Sequence, residues 1–411
     1  MRRTPTRHHE SLAFLHGIQA GTLKNSKYPN EWPVFPVSLA LNFVKPVTKR
    51  RALLICITYR DTQLQDRLKL NKPHSDGEMA KALLLEKGYE EHEIVVLTDA
   101  RGTPEHLRPT RANIMRELEE FVKSDVKDYF FLYAGHSGQK KQIISEDLMK
   151  RWSDKTFEGI GKEEDEHDEY IVPVDAVKGP SLEDIDDGLE SIILDDELNR
   201  YLIRPLPLGA IFLAVLDCCH SATLLDLKHH RCNRFWTWTS KARRAFRKLV
   251  VEPITSVYGD PNVTPCDSFH IPGMPRRQWC DGWCPRRDHG TKSLAICLAA
   301  CKDGQTMYEG HLPTLTEIFV EHMSTQSDRR LRDLVLAAIE NNIEQSRFIN
   351  ETIKKTRKNT MYELDLDRLR DLEAVKEELD RAGSPTPQLS SNHPLRLDEP
   401  LPGPWRRRVL N

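Results

Sequence analysis

Short, uninterrupted apolar runs, separated by stretches with helical spacing, constrain the fold of this chain more than any other sequence feature. Residues 52–57 read Ala-Leu-Leu-Ile-Cys-Ile, and residues 128–133 and 211–216 are similar in length and character. Runs of this kind are typical of strands that are buried on both faces, as in parallel sheets. The sequence therefore predicts an α/β fold with a mostly parallel central sheet and helices on both of its faces.

The other regular elements are predicted from the same patterns. Thr110 has the position of a helix N-cap, and the helix that it starts runs through Val122. Further strands are predicted at 93–97, 170–174, 292–299 and 388–391, and further helices at 75–87, 194–203, 315–323 and in a charged region at 326–382. Functional groups in such sheets gather beyond the carboxyl ends of the strands.

Composition excludes several classes of protein. The chain has 411 residues, and its 60 Lys+Arg against 62 Asp+Glu give a net charge of −2, so we expect no nucleic-acid partner. No apolar run approaches the ~18 residues of a membrane helix, and no apolar stretch of a secretory signal follows the basic start. The nine Cys do not suggest a disulfide scaffold. We therefore expect a reducing compartment, the cytoplasm with the nucleus as alternative, and a monomer.

Two strand ends carry residues with catalytic chemistry. One predicted strand is followed by Gly-His136-Ser137-Gly138, and another by Asp-Cys218-Cys219-His-Ser. A thiol beside an imidazole suits nucleophilic catalysis, and N–H groups after the His could hold an oxyanion. The alternatives are a tight turn and a core cysteine pair. Metal binding by His136, Cys218, Cys219 and His220 is disfavoured, because adjacent residues rarely both ligate one tetrahedral ion.

The order of the motifs in the chain identifies a resemblance. From Lys49 to about Ser391 the sequence resembles the metacaspases, which are caspase-fold cysteine peptidases of fungi, plants and protists, and the fungal type fits best. The matching pieces are Arg51-Ala-Leu-Leu-Ile, Leu97-Thr-Asp99, Pro109-Thr-Arg-Ala-Asn-Ile114, Tyr133-Ala-Gly-His-Ser-Gly138, Asp168-Glu-Tyr-Ile-Val-Pro-Val-Asp175, Leu194-Asp-Asp-Glu-Leu198, Asp217-Cys-Cys-His-Ser221, Ala300-Cys-Lys-Asp-Gly-Gln-Thr306 and Pro387-Gln-Leu-Ser-Ser391.

The resemblance implies a cysteine-type endopeptidase. It assigns His136 as the catalytic histidine and Cys219 as the nucleophile, with backbone N–H groups of Ser137, Gly138 and Cys219 at the oxyanion. It also assigns Asp76 and Asp217 to the pocket for the residue before the cut, where two carboxylates favour Arg or Lys. Without the resemblance, Asp217 is typical of strand-end turns and Asp76 of helix starts.

Calcium activation is a second implication of the resemblance. The calcium-binding acids of the family match Asp168, Asp195, Asp196 and Asp226, and four carboxylates suit a hard cation that prefers oxygen. The alternative is that acidic residues in an acidic segment are simply solvated. No organic cofactor is expected, and the partners are protein or peptide substrates.

Residues 1–47 show no periodicity and are predicted to be a poorly ordered extension. The resemblance divides the rest into a large-subunit region at 48–227, a basic linker insert at 228–290, a small-subunit region at 291–400 with a charged helical insert at 326–382, and a tail at 401–411. The insert carries basic pairs that are candidate self-cleavage sites of a zymogen, at Arg243-Arg244, Arg276-Arg277 and Arg286-Arg287. A zinc knot of Cys232, Cys266, Cys280 and Cys284 with His229, His230 and His270 is a weaker alternative, because its spacing is irregular.

The sequence departs from the family pattern at three positions near the proposed site. Ala222 replaces the Gly after the nucleophile motif, Ala134 replaces a small hydroxyl residue, and Pro73 replaces a Cys. Ala resists backbone angles that Gly permits. These departures leave a rival interpretation open, in which the chain is a caspase-fold scaffold with weak or no catalysis.

Overall fold

The computed structural model describes residues 49–141, 167–219, 221–227, 229, 293–301, 312–325, 330–359, 363–382 and 385–405, the last range without 394, 396 and 398. The strands are β1 (Lys49–Cys56), β2 (Ile94–Thr98), β3 (Val126–Ala134), β4 (Ser137–Lys141), β5 (His167–Ile171), β6 (Ile193–Leu194), β7 (Ile211–Asp217), β8 (Leu294–Ala299) and β9 (Gln388–Ser391). The helices are α1 (Pro73–Glu86), α2 (Arg111–Phe121), α3 (Asp195–Leu198), α4 (Leu315–Thr325), α5 (Leu331–Asn359) and α6 (Glu363–Ala382).

Six strands form the central sheet in the order β2-β1-β3-β7-β8-β9. All neighbouring pairs are parallel except β8 and β9, which are antiparallel. Each parallel crossover leaves room for a connecting helix, and the chain uses α1 between β1 and β2 and α2 between β2 and β3. The predicted α/β fold is therefore confirmed, including the edge strand at Gln388–Ser391.

The apolar runs are explained by burial on both faces of the sheet. Leu53 and Ile55 of β1 belong to one core cluster, whereas Ala52, Leu54 and Cys56 belong to the cluster on the other face. Each of these five residues is at most 1% exposed. A strand with no solvated face needs no polar alternation, so the apolar run is unbroken.

Local capping chemistry sets the helix starts. The Thr110 hydroxyl accepts a hydrogen bond from the Asn113 N–H at 3.3 Å, which confirms the predicted N-cap of α2. Helix α1 begins two residues before the predicted start, with Pro73 in its first turn. Proline is suited to that place because its missing N–H would have no partner inside the helix.

Two predictions about the middle of the chain differ from the structure, and one sheet there was not predicted. The strand predicted at 170–174 is β5 (His167–Ile171), because Pro173 begins a short 3-10 turn. The helix predicted at 194–203 is α-helical only in α3 and continues as a π-helix at Asn199–Ile203. The three-stranded antiparallel sheet β4-β5-β6 was not predicted. Its strand β4 reads Ser-Gly-Gln-Lys-Lys and has no apolar periodicity that would predict a strand. Its conformation is stabilised by backbone pairing with β5.

Some predictions concern residues outside the described part. They include almost all of the 228–290 insert, with its basic pairs and its Cys residues, and His220. None of the helices in the described part combines the length and apolar character that a bilayer crossing needs.

Candidate active site

The fold brings the two predicted catalytic segments to the same edge of the sheet. Strands β3 and β7 are parallel neighbours, and Ala134 is in register with Asp217. His136 and Cys219 therefore each lie two residues beyond an aligned pair. The Ser137 hydroxyl donates a hydrogen bond to the Cys219 carbonyl and joins the two segments directly.

The imidazole of His136 is held on two sides. The Tyr59 ring stacks on it, with ring centroids 4.7 Å apart. The Nε2 atom lies 2.7 Å from the Leu68 carbonyl oxygen, which can only accept, so we assign the hydrogen to Nε2. That assignment leaves Nδ1 as the nitrogen for proton exchange with a thiol. Burial lowers the pKa of His136, and the hydrogen bond to Leu68 partly opposes that effect.

The two adjacent cysteines differ in environment. Cys219 is partly exposed, whereas Cys218 is 4% exposed and lies in the core. Burial raises the pKa of the Cys218 thiol well above its usual range, although a hydrogen bond with Ser137 opposes the rise. A buried thiol that resists ionisation is a poor nucleophile. The environment therefore favours Cys219 as the attacking group.

The glycines of the histidine segment allow a close approach of aromatic hydroxyls. A Cβ at Gly135 would lie 2.9 Å from the Tyr133 hydroxyl oxygen, and one at Gly138 would lie 2.6 Å from that of Tyr170. Ser137 and Gly138 are the first residues of β4, and Ser137 contacts the Cys219 carbonyl. Their role at an oxyanion stays a prediction.

The two predicted pocket acids lie against the first turn of α4. The Asp217 Oδ2 atom accepts hydrogen bonds from the backbone N–H and the hydroxyl of Thr316, both at 2.8 Å. The Asp76 Oδ1 atom accepts from the Thr314 hydroxyl at 3.0 Å. Neither threonine was predicted as a site residue, although Thr314-Leu-Thr-Glu317 has the spacing of a capping box and forms one.

The two predicted pocket acids lie close enough to repel each other when both are ionised. Asp76 is 1% exposed, and burial followed by repulsion from Asp217 raises its pKa to about 8. The hydrogen bond from Thr314 and the charge of Lys72 act in the opposite direction, but Lys72 is already paired with Glu317 at 2.8 Å. A cationic side chain placed beside these two groups would favour their ionised forms.

The four predicted calcium ligands form part of a second acidic cluster, on β5, on α3 and in the loop after Cys219. Asp195 is 2% exposed, and burial together with Asp226 and Glu169 raises its pKa well above the usual range. Burial, then Asp196 and Glu169, raise the pKa of Asp226 to about 7. Asp168 adds further repulsion to both groups.

The donor chemistry of this cluster fits a calcium ion, since it consists of carboxylate oxygens. The arrangement is less complete, because within the described residues no group of three or more His, Cys, Asp or Glu side chains is in place to hold a metal ion. Sequence reasoning missed Glu169, which is 1% exposed and accepts a hydrogen bond from the Thr223 hydroxyl at 2.8 Å. Glu169 thus links the cluster to the loop that follows Cys219.

The departures from the family pattern are accommodated. Among the described residues, a positive φ at a non-glycine position occurs at Tyr59 and Asp226, so Ala222 does not adopt the left-handed conformation that would require Gly. Ala134 ends β3 and is 1% exposed, so it is part of the core.

Residues 50–228 match the family model described as the metacaspase, peptidase C14 domain. These residues are a metacaspase domain. The metacaspase domain thus includes both strand ends, His136, Cys219 and the acidic cluster, and its family is one of cysteine peptidases.

Curated fungal metacaspases are similar to this chain over part of their length. "Metacaspase-1A" of Aspergillus fumigatus is 30% identical over 230 residues, which is 55% of this chain and 48% of that protein. "Metacaspase-1" of Botryotinia fuckeliana is 33% identical over 196 residues, or 47% of this chain and 39% of that protein. "Metacaspase-1B" of Neurospora crassa is 32% identical over the same length, with the same two shares. The chain therefore spans half or less of the length of these relatives.

Proposed function

We propose that this chain is a cysteine endopeptidase that hydrolyses peptide bonds after Arg or Lys, with Cys219 as nucleophile and His136 as general acid and base. The observation that carries the proposal is the joining of the two strand ends, where Ser137 contacts the Cys219 carbonyl and Asp217 begins the nucleophile segment. The metacaspase domain and its fungal relatives support it.

The proposed mechanism uses two steps. The Cys219 thiolate attacks the scissile carbonyl carbon, and the N–H groups of Ser137, Gly138 and Cys219 are the candidate donors to the oxyanion. His136 gives the proton from Nδ1 to the leaving amine, and a thioester remains. His136 then takes a proton from water, which attacks the thioester and releases the carboxylic acid and the Cys219 thiolate, so that the thiolate and the protonated His136 of the starting state are restored.

The contact between the Leu68 carbonyl and His136 supports this mechanism through its electrostatic effect on the imidazole. When His136 holds protons on both nitrogens, the Leu68 carbonyl accepts from the Nε2–H and stabilises the positive imidazolium. Burial favours the neutral ring, so the two effects keep the proton easy to transfer.

The test is cleavage of fluorogenic peptides that end in Arg, Lys or Asp by the purified chain. We expect kcat/KM for Arg and Lys peptides to exceed that for Asp peptides by about 100-fold or more, because the pocket presents carboxylates. Cleavage after Asp would contradict the pocket assignment and keep the dyad. Folded protein that cleaves none of the peptides would support the scaffold interpretation instead.

We further propose that calcium binds the acidic cluster of Asp168, Asp195, Asp196 and Asp226, and activates the peptidase. The support is the buried, mutually repelling charge of these groups, which a divalent cation would neutralise. The cluster reaches the nucleophile loop through Glu169 and Thr223. Self-processing within 228–290 remains a prediction from the sequence, and the expected partners are protein substrates.

Calcium binding can be measured separately from activity. Calorimetric titration of the Cys219→Ala protein with calcium is expected to give binding that weakens about 10-fold or more in Asp195→Asn and Asp226→Asn. Glu183→Gln is the matched control, since Glu183 is an exposed acid in the same part of the chain. Equal affinity in all three variants would refute this site.

A further inference from the structure

Asp99 lies directly after β2 and has no part in the dyad or the pocket described above. Its carboxylate is buried, and the residue is 5% exposed. Its Oδ1 atom accepts a hydrogen bond from the Thr58 N–H at 2.9 Å, and its Oδ2 atom accepts from the Tyr59 N–H at 2.7 Å. One carboxylate therefore holds two consecutive backbone groups just after β1.

The backbone held in this way has an unusual conformation. Tyr59 has a φ of 59°, in the left-handed region that residues other than Gly rarely adopt. Burial alone would raise the pKa of Asp99, but hydrogen bonds from His74, Thr58 and Tyr59 outweigh it and lower the pKa. An ionised acceptor at this place stabilises both N–H groups and keeps Tyr59 in its conformation.

Both supports of the His136 imidazole depend on this short segment. The Tyr59 ring stacks on the imidazole, and the Tyr59 hydroxyl accepts from the His136 backbone N–H at 3.0 Å. The Leu68 carbonyl, which contacts Nε2, ends a short 3-10 helix (Asp66–Leu68), and two residues later the Leu70 N–H donates to the Thr58 carbonyl at 2.9 Å. The stacking ring and the accepting carbonyl are thus tied to the backbone that Asp99 holds.

We propose that Asp99 is a positioning residue for His136, acting through Thr58 and Tyr59. It does not touch the reacting atoms. It fixes the ring that covers the imidazole and the carbonyl that accepts from Nε2, so that the imidazole keeps one orientation. The effect on cleavage rests on the proposed peptidase function, whereas the effect on His136 itself does not.

The test is Asp99→Asn, an isosteric change that replaces one acceptor by an amide donor. The Asn cannot accept from both N–H groups with two oxygens, so the Tyr59 conformation is expected to relax. We expect kcat to fall about 10- to 100-fold while KM stays within about twofold, since substrate contacts are unchanged. The pKa of His136 is expected to rise towards its ordinary value, because a displaced ring leaves the imidazole better hydrated.

The pKa of His136 can be followed without any peptidase activity. We would titrate histidine-labelled Cys219→Ala protein by NMR, assign the His136 signal by its loss in His136→Gln, and repeat the titration in the Asp99→Asn background. If the wild-type chain cleaves nothing but the His136 titration moves, the proposed function fails and the positioning role stands. An unmoved titration would overturn the positioning role whatever the activity.

Asp128→Asn is the matched control. Asp128 is also a buried carboxylate, 7% exposed and 3.8 Å from Arg50, but it lies at the amino end of β3, away from His136. It is expected to lower stability without changing kcat per folded molecule. An Asp99→Asn effect no larger than that of the control would overturn the proposal, and so would a rise in KM with kcat unchanged, which would place the effect in α1 through its His74 contact with Asp99 at 2.6 Å.

A second variant decides the question if Asp99→Asn gives too little folded protein. Tyr59→Phe keeps the ring and removes only the hydroxyl that accepts from His136 and donates to the Val172 carbonyl at 2.7 Å. We expect kcat to fall about 3- to 10-fold and the pKa of His136 to move in the same direction. No change in either quantity would overturn the proposal.

Discussion

Replacing Cys219 by Ala is expected to lower kcat by about four orders of magnitude or more, because the atom that we propose to attack the peptide is removed. Replacing its neighbour Cys218 by Ala is expected to change kcat by less than about threefold. The reason is the difference in environment: Cys218 is buried, and burial raises the pKa of its thiol, whereas Cys219 is partly exposed. Two adjacent residues of the same type thus provide a matched pair of variants.

The effects of the two variants on stability should be the reverse of their effects on activity: Cys218→Ala should lose stability and Cys219→Ala should keep it. Cys218 packs in the core and is 4% exposed, so Cys218→Ala is expected to lower the free energy of unfolding by about 1 kcal/mol. Cys219→Ala should be nearly neutral. Kinetics with an Arg peptide and thermal unfolding of both variants check the pair. Full activity in Cys219→Ala, with loss in Cys218→Ala, would reverse the assignment.

A double variant tests whether Cys219 and His136 act together. If Cys219 and His136 act as one unit, the double variant with His136→Ala should be no slower than Cys219→Ala alone. Independent contributions would instead multiply. Additive losses would therefore contradict the dyad, even if each single variant were slow.

The central sheet could be predicted from sequence because its signal is local. Strand β7 is buried on both faces, and burial of that kind leaves an unbroken apolar run that is visible without knowledge of its neighbours. Strand β4 could not be predicted, since its polar residues are held by pairing with β5, more than twenty residues further along the chain. Elements with a local apolar signal were thus predicted, whereas an element held by pairing with a distant strand was missed.

The site divides in the same way. His136 and Cys219 could be predicted as site residues because each lies just beyond an apolar strand and carries reactive chemistry. The Leu68 carbonyl was missed, because any residue supplies a backbone carbonyl and the contact leaves no trace in the sequence. Thr316 was missed because its contact with Asp217 joins residues 99 positions apart.

The second large effect concerns the pocket. Asp217→Asn is expected to lower kcat/KM for Arg peptides by about 100-fold or more, since the carboxylate that we propose to face the substrate cation loses its charge. The Asn oxygen can still accept from Thr316, so the first turn of α4 should remain in place. Cleavage of an ester with an apolar side chain before the cut is the control reaction and should be nearly unchanged. An equal loss with both substrates would place Asp217 in catalysis or folding instead of specificity.

Asp76 is expected to make the KM for Arg peptides depend on pH. Its pKa of about 8, raised by burial and by Asp217, means that it is largely protonated in the free protein at neutral pH. The KM for an Arg peptide is therefore expected to fall as the pH rises from 7 to 9, because Asp76 ionises and attracts the substrate cation. In Asp76→Asn this fall should disappear. A pH-independent KM in the unmodified chain would contradict the assignment of Asp76 to the pocket.

The same pKa shift means that Asp76 lowers the stability of the folded chain at neutral and higher pH. Above pH 4 the unfolded chain can ionise Asp76, whereas the folded chain keeps the proton up to about pH 8, so rising pH favours unfolding across this window. Asp76→Asn removes the penalty and keeps an acceptor for the Thr314 hydroxyl. We expect its free energy of unfolding to exceed that of the unmodified chain by about 1 to 2 kcal/mol at pH 8, with the difference vanishing towards pH 4. Denaturant unfolding at both pH values measures this difference.

The two possible outcomes have different meanings. A variant that is more stable at pH 8 but has a lower kcat/KM for Arg peptides would show that the Asp76 carboxylate serves recognition and lowers stability. A variant that is less stable at pH 8 would show that Asp76 serves the structure.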